Sequence, residues 1–395
     1  MGIARTALKG VTYHDSSKAY KGYTLFGIVW SDTAWLLGME GHIVHKWQLP
    51  HGLALYSILL PNGNLLYAGT AKTPEQLGLP AFGAVCAGGL GGEIAEIDWD
   101  GNVVWKVEAP YQHHCFGLMD NDHIIYATHH PKGILPDELT AKWKGGIPGT
   151  EEKGKIWGDT VDEIDRDGNV VWWWQSYEHL DPEIDAICPL EPRNHWHINS
   201  VWQCRDGNIL ISPRWQSVLW KIEYPSGKVI ARYGKGKIFH QHDVQEIDNG
   251  NIMCFDNGEH RSNYYGPSYS RAVEIDPNTD EVVWEYRGDP PWTFFSATHC
   301  GVQRLANGNT LICQTHVGRI FEVTHGGEIV WEYISPKQFW AERNLTHVTG
   351  AHRAFRYPPD YPGLKGKDLD PAKYPWENQI FGPDACKRDF APCIF

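Results

Sequence analysis

The segment HDVQEIDNGNIMCFDNGEHRSNYYGPSYSRAVEIDPNTDEVVWEY, residues 242–286, contains four short runs of strand-forming residues separated by turn signals. The runs HDVQEID, NIMCFD, RAVEID and EVVWEY are rich in Val, Ile, Phe and Trp, which favour pleated strands. Asn249-Gly250-Asn251, between the first two runs, supplies the positive φ values that a tight hairpin turn requires. The segment therefore predicts four antiparallel strands, named A to D in chain order.

The hairpin between strands C and D recurs along the whole chain. Its copies are GMEGHIVHKW (38–47), IDWDGNVVW (97–105), IDRDGNVVW (164–172), IEYPSGKVI (222–230), IDPNTDEVVW (275–284) and VTHGGEIVW (323–331). The turn between A and B recurs at 62–64, 206–208, 249–251 and 307–309, with Asn121-Asp122 as a weaker copy. Repeated four-stranded units are typical of propeller blades. We predict an all-β, six-bladed β-propeller of four-stranded antiparallel blades, with seven blades as the alternative.

The two ends of the repeat array are incomplete in complementary ways. A last strand A near His347 to Tyr357 has no B, C or D after it, and residues 23–48 supply three strands with no A before them. We therefore expect N- and C-terminal strands to share one blade, so that residues 1–357 form a single propeller. Residues 358–395 are rich in Pro and polar residues, and we expect an irregular C-terminal strap there.

Composition narrows the classes of function. Of the 395 residues 42 % are hydrophobic and 19 are Trp, and the formal net charge is -13, which opposes binding to nucleic acid. No segment resembles a secretion signal or a membrane span, so we expect a cytoplasmic protein without a membrane partner. The nine cysteines are scattered without a C-x-x-C pair, as expected for reduced thiols. Nothing in the sequence predicts the oligomeric state.

Histidines recur where each strand A begins. They are His51, His113-His114, His195 and His197, His240 and His242, His299, and His347 or His352. Because inner strands line a propeller's channel, we expect these residues to converge at one channel mouth, although strand alternation predicts that adjacent histidines cannot both face it. Insertions at 70–91, 129–159 and 173–196 should build walls over the same mouth. One structural histidine copied into every blade is the alternative, but the phrases around these histidines differ.

Several motifs resemble the arylsulfotransferase family, propeller enzymes that move a sulfuryl group from an aryl sulfate to a phenol. They are HINS (197–200) followed by GNILISPRW (207–215), HQHDVQEIDNGNIMCFDNGEHR (240–261), SRAVEID (270–276), and VQRLANGNTLI to GRIFEV (302–323). The resemblance implies that a neutral imidazole attacks sulfur, that Arg and further His stabilise the sulfonate oxygens, and that no cofactor is required. The catalytic residues that it implies are His197, Asn199, His242 and Arg261, with His299, placed by strand position, as the sulfated histidine.

Two other interpretations remain open. Crowded neutral imidazoles also suit a Zn, Mn, Fe or Cu centre of a lyase, hydrolase or oxidoreductase, with His114, His197, His242, His299 and His352 as ligands. A non-enzymatic binding propeller is the third interpretation, and it would not need the histidines.

Aromatic residues are dense around the expected mouth and predict a small, flat substrate. They include Trp143, Trp157, Trp196, Trp215, Trp292 and Tyr264-Tyr265. A small aromatic molecule is therefore the expected partner. The residues predicted to bind it are His51, Trp196, Arg214, Tyr264 and Trp292. The tryptophans near the ends of the D strands are instead expected to pack between blades.

Overall fold

The fold is a six-bladed β-propeller, in which six four-stranded antiparallel sheets form the blades, as predicted. The structure is a computed structural model, and it describes residues 9–80, 91–261, 266–336, 339–340, 347–348 and 350–382. Two compact units can be distinguished by their internal contacts. One comprises Met1–Tyr67, Glu96–Trp105 and His299–Phe395, and the other Ala68–Ala95 and Lys106–Thr298.

The strands follow the A-to-D order of the repeat. The first half of the chain contains β1 (Gly10–His14), β2 (Tyr23–Ile28), β3 (Thr33–Leu37), β4 (Ile43–Gln48), β5 (Leu53–Leu59), β6 (Leu65–Gly69), β7 (Glu93–Ile97), β8 (Val103–Glu108), β9 (Gln112–Leu118), β10 (Ile124–Thr128), β11 (Gly145–Ile147), β12 (Thr160–Ile164), β13 (Val170–Gln175) and β14 (Ile187–Pro192). The second half contains β15 (Ile198–Gln203), β16 (Ile209–Pro213), β17 (Leu219–Ile222), β18 (Val229–Tyr233), β19 (His242–Glu246), β20 (Ile252–Asp256), β21 (Arg271–Asp276), β22 (Glu281–Tyr286), β23 (Gly301–Arg304), β24 (Thr310–Gln314), β25 (Arg319–Val323), β26 (Ile329–Ile334), β27 (Phe339–Trp340), β28 (His347–Val348) and β29 (Ala351–Tyr357).

Helices are few and short. They are α1 (Asp137–Lys142), α2 (Pro375–Phe381) and the single 3₁₀ turns Glu75–Leu77, Pro131–Gly133, Ser176–Glu178, Arg214–Gln216, Pro291–Thr293, Thr315–Val317, Pro362–Leu364 and Pro371–Lys373. None of the helices in the described ranges is long and apolar enough to cross a membrane.

The predicted shared blade is confirmed. Strand β29 pairs with β2, with Tyr357 opposite Tyr23 and Ala354 opposite Phe26, in a sheet of order β29-β2-β3-β4. The sequence did not predict β1, which adds a fifth strand to the β23–β26 sheet at the outer edge of β26. Strand A of the shared blade thus comes from one end of the chain and strands B to D from the other.

Apolar side chains of neighbouring blades form the core. One hydrophobic cluster joins buried residues of the shared blade, such as Trp35, to buried residues of the β23–β26 blade, such as Ile320 and Trp331. A second cluster joins β15–β18 to β19–β22 and includes Leu219 and Val273. These contacts between sheets bury strands such as β20 and β24 on both faces.

Tryptophans on the outer strands bridge to the next blade, as their position in the repeat predicted. The indole of Trp172 on β13 donates to the carbonyl of Pro225, in the β17–β18 turn, at 2.8 Å. The indole of Trp331 on β26 donates to the carbonyl of Met39, in the β3–β4 turn, at 2.8 Å. Each bond ties an outer strand to the C-to-D turn of a neighbouring sheet.

A buried carboxylate on strand C holds the A-to-B turn in more than one blade. Glu274 on β21, which is 5 % exposed, accepts hydrogen bonds from the side chains of Asn249 and Asn251 at 2.8 and 2.6 Å. Glu96 receives the same pair of bonds from Asn62 and Asn64. These glutamates were not among the residues predicted from the sequence to have a role.

In the β15–β18 blade the equivalent contact has its donor and acceptor exchanged, because the strand carries the cation and the turn carries the carboxylate. Lys221 stands on β17 where the blades above have Glu, just before the register shift of the sheet. Its ammonium lies 2.6 Å from a carboxylate oxygen of Asp206, which replaces the first Asn of the turn. Both residues of this pair therefore differ from those of the other blades. If position 221 had Glu, its carboxylate would face that of Asp206.

Two insertions of the chain are joined to each other. Strand β11 of one pairs in parallel with β14 of the other, with Gly145 opposite Ile187. The indole of Trp143 donates to the carbonyl of Asp185 at 3.1 Å and its ring lies 4.4 Å from that of Trp196. The insertions therefore form one packed layer rather than separate loops.

A charge-exchange experiment tests the reversed pair. Lys221→Glu should lower the free energy of unfolding by about 1 kcal/mol, because a second carboxylate would face Asp206. Adding Asp206→Asn should restore most of that loss by recreating the Asn–Glu contact of the other blades. Urea denaturation of both single variants and the double variant measures the coupling. Additive effects in the double variant would show that the contact does not stabilise the blade.

Candidate functional site

Left-handed backbone at the start of strand A places the histidines. The φ angles of His114, His197, His240 and His299 are 56°, 60°, 55° and 62°, a region that residues other than glycine rarely occupy. The strand pairing beside them is irregular, for example between Ile198 and Ser200. Such a residue interrupts the alternation of side chains along the strand.

This backbone overturns one expectation. His113 and His114 are adjacent in β9, yet both are buried and their Nδ1 atoms lie 2.8 Å apart. Strict alternation would place them on opposite faces, and the left-handed conformation of His114 removes that constraint. Both histidines therefore belong to the same group of side chains.

A buried carboxylate lies at the centre of this group. One oxygen of Asp159 is 3.1 Å from Nε2 of His113 and 2.8 Å from Nε2 of His129, and all three side chains are almost completely buried. The two imidazole rings stack with their centroids 3.7 Å apart. The other oxygen of Asp159 accepts a bond from the backbone N–H of Trp196. The donor atoms of the two histidines and the aspartate lie within 4.8 Å of one another, close enough to hold a metal ion.

A second chain of imidazoles runs beside it. Nδ1 of His195 lies 2.7 Å from the side-chain oxygen of Asn194, and Nε2 of His195 lies 3.1 Å from Nδ1 of His197. The ring of His197 is 4.6 Å from that of His114. Trp215 packs against both rings of the chain. His197 is the less buried of the two histidines and keeps part of its surface accessible.

The environment of these histidines keeps them neutral. Burial lowers the pKa of His113 to about 4, helped by the charge of His129. Burial also lowers the pKa of His195 and His197 well below the usual value, and for His197 the nearby His114 and His195 act in the same direction. Burial alone would raise the pKa of Asp159, but its contacts with His113 and His129 outweigh burial and hold that pKa well below its usual range.

His242 has a single tautomer that its partners select. Its Nδ1 lies 2.7 Å from the side-chain oxygen of Asn257, whose amide nitrogen donates to the carbonyl of Ser296 at 2.8 Å. Because that donation fixes the orientation of the amide, Asn257 must accept the proton of His242 Nδ1. The neutral ring then carries its lone pair on Nε2.

Asn199 has a positioning role in the structure. It is completely buried, and its amide donates to the backbone carbonyl of Gln241 at 2.7 Å. Gln241 immediately precedes His242, and its own amide donates to the carbonyl of Val218 at 2.9 Å. The H-x-N pair thus links the start of β15 to the start of β19.

Both predicted arginines are held by carboxylates. Arg214 is 5 % exposed and contacts Glu191 and Glu259. Its charge also disfavours protonation of His195 and His197, which places it beside that chain. Arg261 pairs with Asp256 and lies 4.9 Å from the centres of two aromatic rings.

The remaining predicted residues differ widely in burial. Trp196 is completely buried and its indole donates to Ser176. His51 is exposed, and Trp292 is 52 % exposed. His299 and His352 belong to the other compact unit, where their rings are 5.4 Å apart. Tyr264 lies outside the described residues.

Three important residues were missed by sequence reasoning. Asp159 and Asn257 are single polar residues at strand ends, where Asp and Asn are common in turns, so their types carried no signal. His129 is half of a His-His pair that ends strand B, and this pair was a signal that could have been used.

The structure thus defines a β-propeller in which histidines stand at the starts of inner strands, and Arg214, Asn257 and Arg261 follow the ends of the second strands. A family model described as Arylsulfotransferase (ASST) matches residues 82–336. The chain belongs to this family. No curated protein matches the chain.

Solved structures resemble this chain at low sequence identity. A protein of unknown function from Bacteroides caccae is 13 % identical, with 85 % of this chain and 98 % of that chain covered and a TM-score of 0.51. At this identity the likeness is one of fold alone. A catalytically inactive virginiamycin B lyase from Staphylococcus aureus, with quinupristin, is 10 % identical, with 86 % and 90 % covered and a TM-score of 0.45.

The lowered pKa of His113 predicts a loss of stability in acid. Its pKa is about 4 in the folded chain and near 6.5 when unfolded, so between these values the unfolded chain binds a proton that the folded chain does not. The free energy of unfolding should therefore be highest above pH 6.5 and fall towards pH 4. His113→Gln should reduce the slope by up to about 1.4 kcal/mol per pH unit. Urea denaturation across this range measures it.

The control for this prediction is His325→Gln, which changes an exposed histidine. This substitution should leave the slope of the free energy of unfolding against pH the same as in the unsubstituted protein. Equal slopes in the two variants would contradict a neutral, buried His113.

Proposed function

We propose that the chain is an arylsulfotransferase-type enzyme in which His242 is the nucleophile that receives the sulfuryl group. Family membership supports the class of reaction. The observation that carries the assignment of the nucleophile is the pinned amide of Asn257, which holds the proton of His242 on Nδ1. A nucleophilic imidazole needs its lone pair available in one defined direction, and this arrangement supplies it.

His197 is proposed as the acid–base residue. Its lowered pKa keeps it neutral, and the charge of His242 is among the influences that lower that pKa. Because His197 Nδ1 donates to His195, whose own Nδ1 donates to Asn194, the lone pair of His197 also lies on Nε2. That nitrogen can take the proton of an incoming phenol and pass it to solvent.

The proposed reaction has two balanced steps. In the first, Nε2 of His242 forms a bond to sulfur while the bond from sulfur to the aryl oxygen breaks, and the phenolate departs as an anion that solvent protonates. In the second, the acceptor phenol gives its proton to Nε2 of His197 as its oxygen attacks sulfur and the bond from nitrogen to sulfur breaks, and His197 then releases that proton to solvent. Arg214, beside His197, is the cation that would stabilise the sulfonate oxygens.

Small aromatic molecules are the proposed donor and acceptor. Trp215 lies against His195 and His197, and Phe239 and Tyr269 flank the guanidinium of Arg261. These side chains offer apolar faces beside the polar groups of the site. We propose that the reaction needs no cofactor and takes place in the cytoplasm, where the free thiols of the described cysteines would stay reduced.

A metal-dependent reaction is the second candidate, and one observation favours it. Two histidines and one aspartate, His113, His129 and Asp159, form a buried group of the kind that binds iron and related metals. Nε2 of His113 and the nearer oxygen of Asp159 have no well-aligned hydrogen bond despite their short separation. The ligands predicted from sequence, His114, His197, His242, His299 and His352, remain predictions.

Trapping of the intermediate tests the nucleophile. Incubation with p-nitrophenyl sulfate in the absence of acceptor should attach one sulfuryl group to His242, as peptide mass spectrometry at neutral or alkaline pH would show. His242→Ala should abolish both labelling and release of p-nitrophenol. Label on His299 would support the assignment made from sequence, and full activity in His242→Ala would exclude His242 as the nucleophile.

Asn257 provides the test of positioning. Asn257→Ala should lower kcat by about 10- to 100-fold with little change in KM, because His242 would lose the partner that selects its tautomer. Asn278→Ala removes an amide from an exposed turn of the same sheet and should leave kcat unchanged. A larger effect on KM than on kcat would instead place Asn257 in substrate binding.

Elemental analysis decides between the two candidates. If the second candidate holds, protein purified without a His-tag should contain metal, and Asp159→Asn should lower the content by one equivalent and abolish activity. If the first holds, Asp159→Asn should leave the metal content unchanged.

A further inference from the structure

A group of metal-binding side chains lies outside the histidines described above. It consists of Cys188, His240 and His260, and the Sγ atom and one nitrogen of each ring lie within 4.8 Å of one another. The Cys188 Sγ is 3.6 Å from Nδ1 of His260, and the two imidazole rings meet edge to face at 4.7 Å. These three residues come from separate segments: β14 in an insertion, the start of β19, and the turn after β20.

His240 has unsatisfied nitrogens that a metal could bind. The side chain is completely buried, and neither ring nitrogen has a well-aligned hydrogen bond among the residues that the structure describes. Its Nδ1 is 3.2 Å from an oxygen of Glu191, and the same oxygen lies 4.0 Å from Nδ1 of His260. A buried nitrogen without a partner is otherwise costly, and coordination of a metal would satisfy it.

The charges around the group also favour a cation. Glu191 and Glu259 bring two negative charges, and Arg214 between them supplies one positive charge. A divalent ion bound by Cys188 would displace the proton of its thiol and add a third negative charge. Two positive charges on the metal and one on Arg214 then balance the three negative charges. Buried groups are most stable when their charges balance in this way.

We propose that Cys188, His240 and His260 bind a zinc-class divalent transition metal, with a carboxylate of Glu191 or Glu259 close enough to complete the site. One sulfur and two imidazole nitrogens are ligands that Zn²⁺ prefers. A second group of potential ligands, Glu191, His240 and Glu259, overlaps the first and supplies the carboxylates.

The site would fasten an insertion to the blade beneath it. Among the strands that the structure describes, β14 pairs only with the short β11, and although Ile187 at its start is buried, Leu190 within it is 60 % exposed. A metal bound through Cys188 would link β14 to β19. It would also hold Glu191 and Glu259, which position Arg214. The proposed site is therefore structural and does not depend on the reaction assigned to the histidines.

Cobalt binding to the full-length, chelator-treated protein tests the proposal. Co²⁺ bound by a thiolate absorbs in the near ultraviolet through charge transfer, so one equivalent of Co²⁺ should produce this band and Zn²⁺ should abolish it. Cys188→Ser should remove the band, and His260→Ala should weaken the affinity for Co²⁺ by at least about 100-fold. Cys204→Ser, which changes a cysteine outside the group, and His242→Ala should both keep the band.

Alkylation of the unsubstituted protein provides a measurement that does not depend on how the variants fold. Among the described cysteines Cys188 is partly exposed and the other five are buried, so iodoacetamide should react with Cys188 faster than with those five. Stoichiometric Zn²⁺ should slow the reaction at Cys188, followed by peptide mass spectrometry, at least about 10-fold. No charge-transfer band together with an unchanged alkylation rate would overturn the proposal. Neither measurement uses a substrate. A negative result would therefore overturn the metal site without contradicting the sulfotransferase assignment.

Discussion

The left-handed backbone at the start of the inner strands is the constraint on which the candidate site depends. Each such residue costs about 1 kcal/mol or more relative to an ordinary strand conformation, and the costs recur at His114, His197, His240 and His299. Because of this backbone conformation, side chains that regular strand alternation would place on opposite faces lie next to each other. His113 and His114 could not otherwise contact each other through their rings.

Burial then determines the chemistry of the side chains that this backbone collects. It lowers the pKa of His113, His195 and His197, so these imidazoles are neutral and carry lone pairs. Amide groups select the tautomers, since Asn194 and Asn257 each accept a proton from Nδ1 of a histidine. A lone pair on a defined nitrogen suits a nucleophile, a base and a metal ligand alike, which is why one arrangement of imidazoles is compatible with both candidate reactions.

The two ends of each inner strand contribute differently, because one end stabilises the blade and the other carries the candidate site residues. The A-to-B turn is held by a buried carboxylate such as Glu274, or by the reversed pair of Lys221 and Asp206. These contacts stabilise the blade and are repeated from sheet to sheet. The starting end differs between blades and carries histidines, arginines and inserted segments. Variation is possible there because the contacts that maintain the repeat lie at the opposite end.

The sequence by itself determined the repeat, the propeller fold and the shared terminal blade, and favoured six blades over seven, because turn residues and strand periodicity are local properties of the chain. Its motifs also carried the resemblance to the family. It also identified His197, Asn199, His242 and Arg214 as residues to consider. Only the tertiary structure decided that Asp159 lies between His113 and His129, that Asn257 holds His242, and that Cys188 meets His240 and His260. These contacts join residues from different strands and insertions, and their distances depend on backbone conformations that no local pattern specifies.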